Sequence, residues 1–264
     1  MCGICGIINF DGSPVDPNIL VKMRDKLAHR GPDDKGGVLV SRDFSRGMPA
    51  YLKFQDCEEV NQIDRNYNKE IYHAGLAHRR LSIIDLSSSA RQPMSNEDGS
   101  IWITYNGEIY NYLELKSILE KKGHIFNTNS DTEVIVHAYE EWREDFVTHL
   151  RGMFAIAVWD SNKNICIMAR DRFGIKPLFY FFDEKKLIFA SELKSIVSSG
   201  LVPVEINPEG VLQYFKYYYV PAPNTIFKNI FSVLPGHEAF CVNGHLTSRE
   251  YWELYFHEIY SNER

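Results

Sequence analysis

Nowhere do the 264 residues hold the run of about 20 apolar residues that a membrane-spanning helix needs, and no basic stretch precedes an apolar one at the amino terminus. No membrane partner is expected, and the expected location is the cytoplasm. Positive charge is also scarce. Against 35 Asp and Glu stand 29 Lys and Arg, giving a net charge of −6 and no electrostatic footprint for nucleic acid. The five cysteines (Cys2, Cys5, Cys57, Cys166 and Cys241) are odd in number and widely spaced. That pattern argues against a disulfide framework and suits a reducing compartment. Cys2 and Cys5 form a CxxC, but no second CxxC or HxxxH joins it, so no metal is expected in this chain. Internal repeats, low-complexity segments and a GxxxxGK[ST] phosphate loop are missing as well.

What is present is an ordinary globular composition, 44% hydrophobic and 24% charged, long enough for one large domain or two small ones. Residues 3–10 read as a buried strand and residues 17–28 as a helix that breaks at His29-Arg30-Gly31-Pro32. Residues 37–40 read as a strand. The polar stretch from 41 to 69 reads as a long surface loop or insertion. Strands are expected at 72–78 and 81–85, and at 101–105 with an end at Asn106-Gly107. An amphipathic helix over 111–122 closes on Gly123, and a cap cluster at 129–132 opens a second helix running to Trp142. Hairpins are expected over 154–169 and 178–190. After Asn207 come an aromatic-rich helix (211–219), a hairpin within 233–242 and a tail from 251. Short strands with few βαβ crossovers point to an α+β fold, antiparallel sheets covered by helices.

The chemistry gathers first at the amino terminus. Cys2 follows the initiator methionine directly, and a small second residue normally allows Met1 to be trimmed. Cys2 would then carry both a nucleophilic thiol and a free α-amine, a weak base with a pKa of about 7.7–8. On this stretch alone a buried small hydrophobe is an equally good reading. Asn106-Gly107 offers a side-chain amide and a backbone N–H, the parts of an oxyanion hole, although it also reads as a simple turn. Arg80 suits bidentate pairing with a carboxylate, or an ordinary place in a surface strand. Glu108 and Asp131 are candidate acceptors for a substrate ammonium, and Asp131 is equally a candidate helix cap. Together these groups describe a site for a free amino acid.

The stretches MCGICGI, HRGPDD, HRRLSIIDL, YNGEIYN, NSDTE, RGMFAIAVWD, ARDRFGIKPLFY and FASELKSI resemble, in order, the motifs of the glutaminase domain of asparagine synthetases. The resemblance covers roughly residues 1–200 and weakens toward 252. It implies a class II glutamine amidotransferase of the N-terminal nucleophile hydrolase type, a four-layer sandwich of two antiparallel sheets between helical layers. It also implies roles: Cys2 as nucleophile, Asn106 and Gly107 as oxyanion hole, Arg80 on the glutamine α-carboxylate. Glu108 and Asp131 would hold the α-ammonium, with backbone groups of Leu81 and Ile83 nearby. The expected arrangement is a glutaminase domain over 1–206 and a C-terminal extension over 207–264. The extension leads toward a synthetase domain, absent from this chain, in which ATP and Mg would bind. No Ser-Gly-Gly-x-Asp-Ser loop announces that domain, since Ser199-Gly200 is followed by Leu201. A fragment cut at the boundary is the expectation, a stand-alone subunit the alternative. The expected partners are glutamine and an ATP-pyrophosphatase-type synthetase domain or subunit, with a homodimer among the expected assemblies. A glutamine-sensing module without catalysis is the competing class, and intact Cys2 and Asn106 argue against it.

Overall fold

Apolar strands assemble into two antiparallel sheets in the computed structural model, which describes residues 1–41, 49–56, 58–59, 71–82 and 87–255. The seven-stranded sheet runs β11 (Ile230–Ser232), β9 (Phe179–Asp183), β10 (Lys186–Ala190), β1 (Gly3–Asn9), β4 (Tyr72–Arg80), β2 (Asp34–Ser41), β3 (Tyr51–Phe54). The six-stranded sheet runs β13 (His245–Glu250), β12 (His237–Val242), β8 (Ile165–Arg170), β7 (Gly152–Asp160), β6 (Ile101–Ile109), β5 (Met94–Ser95). No helix among the described residues is long and apolar enough to cross a membrane.

Period-two alternation makes each sheet two-faced. Along β1, Ile4 and Ile8 enter the core between the sheets, with Trp102, Trp159, Leu187 and Phe189. Cys5 and Ile7 point the other way, into a core shared with α1 (Pro17–Asp25) and α5 (Leu193–Ser198) through Leu20, Met23 and Ile196. A third core joins the far face of the six-stranded sheet to α2 (Tyr112–Lys121), α3 (Asp131–Trp142) and α4 (Phe146–His149) through Leu115, Leu119, Val134, Tyr139 and Phe146. The result is four layers, helices–sheet–sheet–helices. Each fully buried aliphatic side chain stabilises the fold by about 1.5–3 kcal/mol relative to exposure.

Local chemistry sets the element ends. Asp16 caps α1 by accepting the Asn18 N–H at 2.8 Å, with Pro17 in the first helical position. Gly123, at φ +101°, closes α2. Its N–H reaches the Glu120 carbonyl at 3.0 Å, and the His124 N–H reaches the Leu119 carbonyl at 3.1 Å, the paired bonds of a Schellman cap.

Several expectations are corrected. The strand at 101 does not end at Asn106-Gly107: β6 continues to Ile109, with Asn106 opposite Ala155 and Gly107 opposite Phe154. Paired backbone on β7, rather than a turn, fixes that dipeptide. Within the stretch expected as a loop, Tyr51–Phe54 pairs with β2 as strand β3, while residues 42–48, 57 and 60–70 lie outside the described residues. β4 ends at Arg80, and Leu81 and Ser82 are not strand. The α3 cap is Ser130, whose hydroxyl accepts the Thr132 N–H at 3.2 Å, so Asp131 is the first helical residue and not the cap. The segment from Asn207 contributes α6 (Pro208–Tyr217), and its later strands extend both sheets: β11 pairs with β9, and β12 with β8.

Candidate active site

A cavity of about 120 Å³ opens where the carboxyl end of β4, the middle of β6 and the start of α3 meet the amino terminus. Its wall includes Cys2, Arg80, Leu81, Asn106, Gly107, Glu108 and Asp131. Seven of the eight residues singled out from the sequence therefore converge. The eighth, Ile83, lies outside the described residues. The convergence joins positions more than a hundred residues apart.

Cys2 is held from two sides. Its Sγ lies 3.4 Å from the Leu81 N–H, which donates to it, and 3.6 Å from the Leu81 carbonyl. Its own carbonyl accepts from Arg30 Nε at 2.8 Å, and Arg30 is anchored by Glu192 at 3.0 Å. These bonds give the HRGPDD and FASELKSI stretches a physical task, fixing the backbone of the amino-terminal cysteine. Asp33 accepts the Ser82 N–H at 2.8 Å and donates its own N–H to the Arg80 carbonyl at 3.0 Å, which secures the chain where it leaves β4. A side chain at Gly31 would run into the Arg79 carbonyl, with a Cβ only 2.3 Å away.

Burial pushes the Cys2 thiol above its ordinary value. The Leu81 N–H, the charge of the chain's amino terminus and the Arg80 guanidinium oppose that shift, and Asp131 adds to it. In this form the amino group belongs to Met1, which also lines the cavity. Removing Met1 would transfer that amine to Cys2 itself.

Asn106 is the most informative neighbour. It is 1% exposed, and its Nδ2 has no hydrogen-bond partner among the described residues. A buried amide donor left unpaired costs about 1–3 kcal/mol, so its persistence calls for a ligand acceptor. Gly107 follows it because nothing larger fits: a Cβ would lie 2.1 Å from the Met153 carbonyl and 2.8 Å from Phe154 Cα.

Asp131 is buried, and burial raises its carboxyl pKa. Its Oδ2 accepts from the Tyr105 hydroxyl at 2.8 Å and the Ile109 N–H at 3.1 Å. Those bonds hold the carboxylate in place at the cavity wall. Arg80 is 8% exposed and donates from Nη1 to the Ser87 carbonyl at 3.1 Å. The cavity thus offers cationic and anionic poles beside a thiol and an orphan amide donor.

Sequence reasoning missed three contributors. Tyr105 positions Asp131. Gln92 accepts the Tyr105 N–H at 2.7 Å and donates to Thr132 at 3.1 Å, linking β6 to α3. Lys176, only 7% exposed, also lines the wall. Of the three, Tyr105 and Lys176 carried a signal, Tyr105 immediately before Asn106 in YNGEIYN and Lys176 within ARDRFGIKPLFY. Gln92 arrives through a loop whose course no periodicity reveals.

Comparisons with known proteins converge on one description. The family described as glutamine amidotransferase domain matches residues 64–252. Asparagine synthetase (glutamine-hydrolyzing) 2 of Bacillus subtilis strain 168 is 40% identical over 96% of this chain and 31% of the relative. Asparagine synthetase (glutamine-hydrolyzing) 1 of the same organism is 37% identical over 100% of this chain and 37% of its own length. The chain thus spans about a third of these relatives. Among solved structures, glutamine phosphoribosylpyrophosphate amidotransferase from B. subtilis, complexed with ADP and GMP, superposes with a TM-score of 0.67. The match covers 95% of this chain and 49% of that one at 22% identity, a likeness of fold.

Proposed function

Since the chain belongs to the glutamine amidotransferase domain family and is a class II enzyme within it, we propose that it hydrolyses glutamine to glutamate and ammonia with Cys2 as the nucleophile. Removal of Met1 frees the α-amine, which takes the thiol proton as Sγ attacks the side-chain amide carbon of glutamine. The carbonyl oxygen becomes an oxyanion, received by Asn106 Nδ2 and the Gly107 N–H. Collapse of the tetrahedral species breaks the C–N bond. The proton passes to the leaving nitrogen, and ammonia departs from a thioester on Cys2. Water, deprotonated by the same amine, then attacks the thioester and releases glutamate. Arg80 pairs with the α-carboxylate, and Glu108 and Asp131 hold the α-ammonium beside the Leu81 backbone. Discrimination follows from the same charges: an amide lacking them leaves buried ions unpaired.

The observation that carries this reading is the buried Asn106 Nδ2, without a partner among the described residues, in the cavity wall that includes Cys2. In the wider proposal the ammonia serves an ATP-dependent amidation of aspartate on a synthetase domain or subunit, because the relatives named above are glutamine-hydrolyzing asparagine synthetases of about three times the length. A cytoplasmic location belongs to the same proposal, a reducing compartment in which the Cys2 thiol stays free.

Met1 in the cavity wall favours one second reading. A chain that retains it has no amine at Cys2 and would bind glutamine without turning it over. Intact-mass measurement, combined with assay of glutamate and ammonia, separates the two. Hydrolysis by the Met1-less form, with kcat lowered about 10²–10³-fold in Asn106→Ala, is expected. Equal turnover by a form that keeps Met1 would overturn the mechanism.

A further inference from the structure

On the outer helical layer, away from the cavity wall, three side chains gather that the glutaminase reading does not use. His124 stands just past the Schellman cap of α2, and His137 and Glu140 occupy consecutive turns of one face of α3. One ligand atom from each lies within 4.8 Å of the other two. Glu140 Oε2 is 2.7 Å from His137 Nδ1 and 3.6 Å from His124 Nδ1. We propose that His124, His137 and Glu140 form a binding site for a divalent transition ion of the zinc class.

The donor set is the first argument. Two imidazoles and one carboxylate suit zinc and its neighbours in the first transition row, whereas calcium and magnesium require oxygen throughout. Geometry is the second. In a tetrahedral site with bonds of about 2.0–2.1 Å, ligand atoms stand roughly 3.3 Å apart. The contacts of 2.7 and 3.6 Å bracket that separation, so the ion enters by small rotations of side chains already in place.

The surroundings of the three residues are the third argument. Metal-bound imidazoles commonly donate through their second nitrogen to a carboxylate, and ligating carboxylates are themselves hydrogen-bonded. His124 turns Nδ1 toward Glu140 and Nε2 toward Glu141 Oε2, at 3.4 Å. Glu141 is in turn held by Lys122 at 2.6 Å. Glu140 Oε1 accepts from Asn96 Nδ2 at 2.9 Å, which leaves Oε2 facing both imidazoles. Phe126 packs edge-on against the His137 ring at a centroid distance of 4.7 Å and forms an apolar wall. A surface ion pair does not need this outer set. A metal ligand does.

Three protein ligands leave the fourth position to water. The site has a structural consequence, because it ties the end of α2 to α3, the helix whose first residue is Asp131. His137 lies six residues along α3 from Asp131, about 9 Å at 1.5 Å per residue. The ion therefore clamps the helix that presents Asp131 to the cavity without touching the cavity. The proposal is independent of any chemistry at Cys2.

The test uses the full chain, stripped with a chelator and titrated with Zn²⁺ against a chromophoric competitor, and separately with Co²⁺ for its visible spectrum. Four forms are compared: the unaltered chain, Cys2→Ala, His124→Ala and Glu141→Gln. Cys2→Ala controls for capture of the ion by the accessible thiol. His124 lies in a partly exposed connection, so its loss leaves the cores intact. One ion per chain is expected in the unaltered and Cys2→Ala forms, with cobalt bands of a four-coordinate nitrogen–oxygen site and no sulfur charge-transfer band. His124→Ala should lose that site, and Glu141→Gln should bind about 10–100-fold more weakly. Zinc should raise the Tm of the first two forms and leave that of His124→Ala unchanged. Binding that survives His124→Ala, disappears with Cys2→Ala, or is missing from the unaltered chain at micromolar zinc would overturn the proposal.

Discussion

Cys2 and Cys5 share a short motif but face opposite layers. Cys2 opens onto the cavity, whereas Cys5 packs with Met23, Leu27 and Ile196, and burial pushes its thiol up to about 12. A thiol so reluctant to ionise is no nucleophile at neutral pH. Cys2→Ala should therefore abolish glutamine hydrolysis while the Tm changes little, and Cys5→Ala should keep most of the activity. Steady-state assay of the two variants checks both, and substantial turnover by Cys2→Ala would sink the proposed mechanism. Arg80 is the second residue on which the site depends. Arg80→Lys keeps the charge but cannot make two parallel N–H···O bonds to a carboxylate. The expected loss is about 2–3 kcal/mol of binding, read as a higher KM for glutamine. An unchanged KM would remove Arg80 from the substrate.

The elements differ in how far they can be read from sequence, and the reasons are physical. Helix α2 was legible to within a residue at each end, because its apolar face repeats at helical spacing and Gly123 supplies the positive φ of its cap. β6 was legible in its first half only. Asn-Gly is a turn signal in isolation, and what overrides it is pairing with β7, a partner some fifty residues away. β3 was not legible at all, since four residues in a polar stretch become a strand only through the edge of β2. Most of the residues that line the cavity were legible as candidates because they sit in compact motifs, while Gln92 depends on a loop path. The β12–β13 hairpin adds a testable electrostatic element. Glu238 is fully buried on β12, and burial lifts its carboxyl to about 7 although Arg249 of β13 pairs with it at 2.7 Å. Between about 4.5 and about 7 the folded chain retains a proton that the unfolded chain releases. The native state binds more protons there, so this group's contribution to stability falls as pH rises through that window. Glu238→Gln should flatten that fall, and Tm measured at pH steps from 4.5 to 8 for both forms reads it directly. Parallel curves would exclude Glu238 as the titrating group.

At the scale of the whole molecule, two sheets and two helical layers place every group proposed for amide hydrolysis in one cavity, and none of those groups handles a nucleotide. Amidation of aspartate requires a carboxylate activated as its adenylate, hence a loop of backbone amides to cradle phosphates and a magnesium ion to bridge them. Residues 1–264 carry neither Ser-Gly-Gly-x-Asp-Ser nor GxxxxGK[ST]. This chain alone should therefore convert glutamine and water to glutamate and free ammonia without ATP, at a rate indifferent to aspartate. Turnover should be slow relative to an assembled synthetase, because closure over substrate in two-site enzymes commonly depends on the partner domain. Incubating the purified chain with glutamine, aspartate and Mg-ATP decides the point. Glutamate and ammonia as sole products support a glutaminase that hands its ammonia elsewhere. Asparagine among the products would mean that a nucleotide site lies within these residues, and the division of labour proposed for the family's two activities would not hold for this chain.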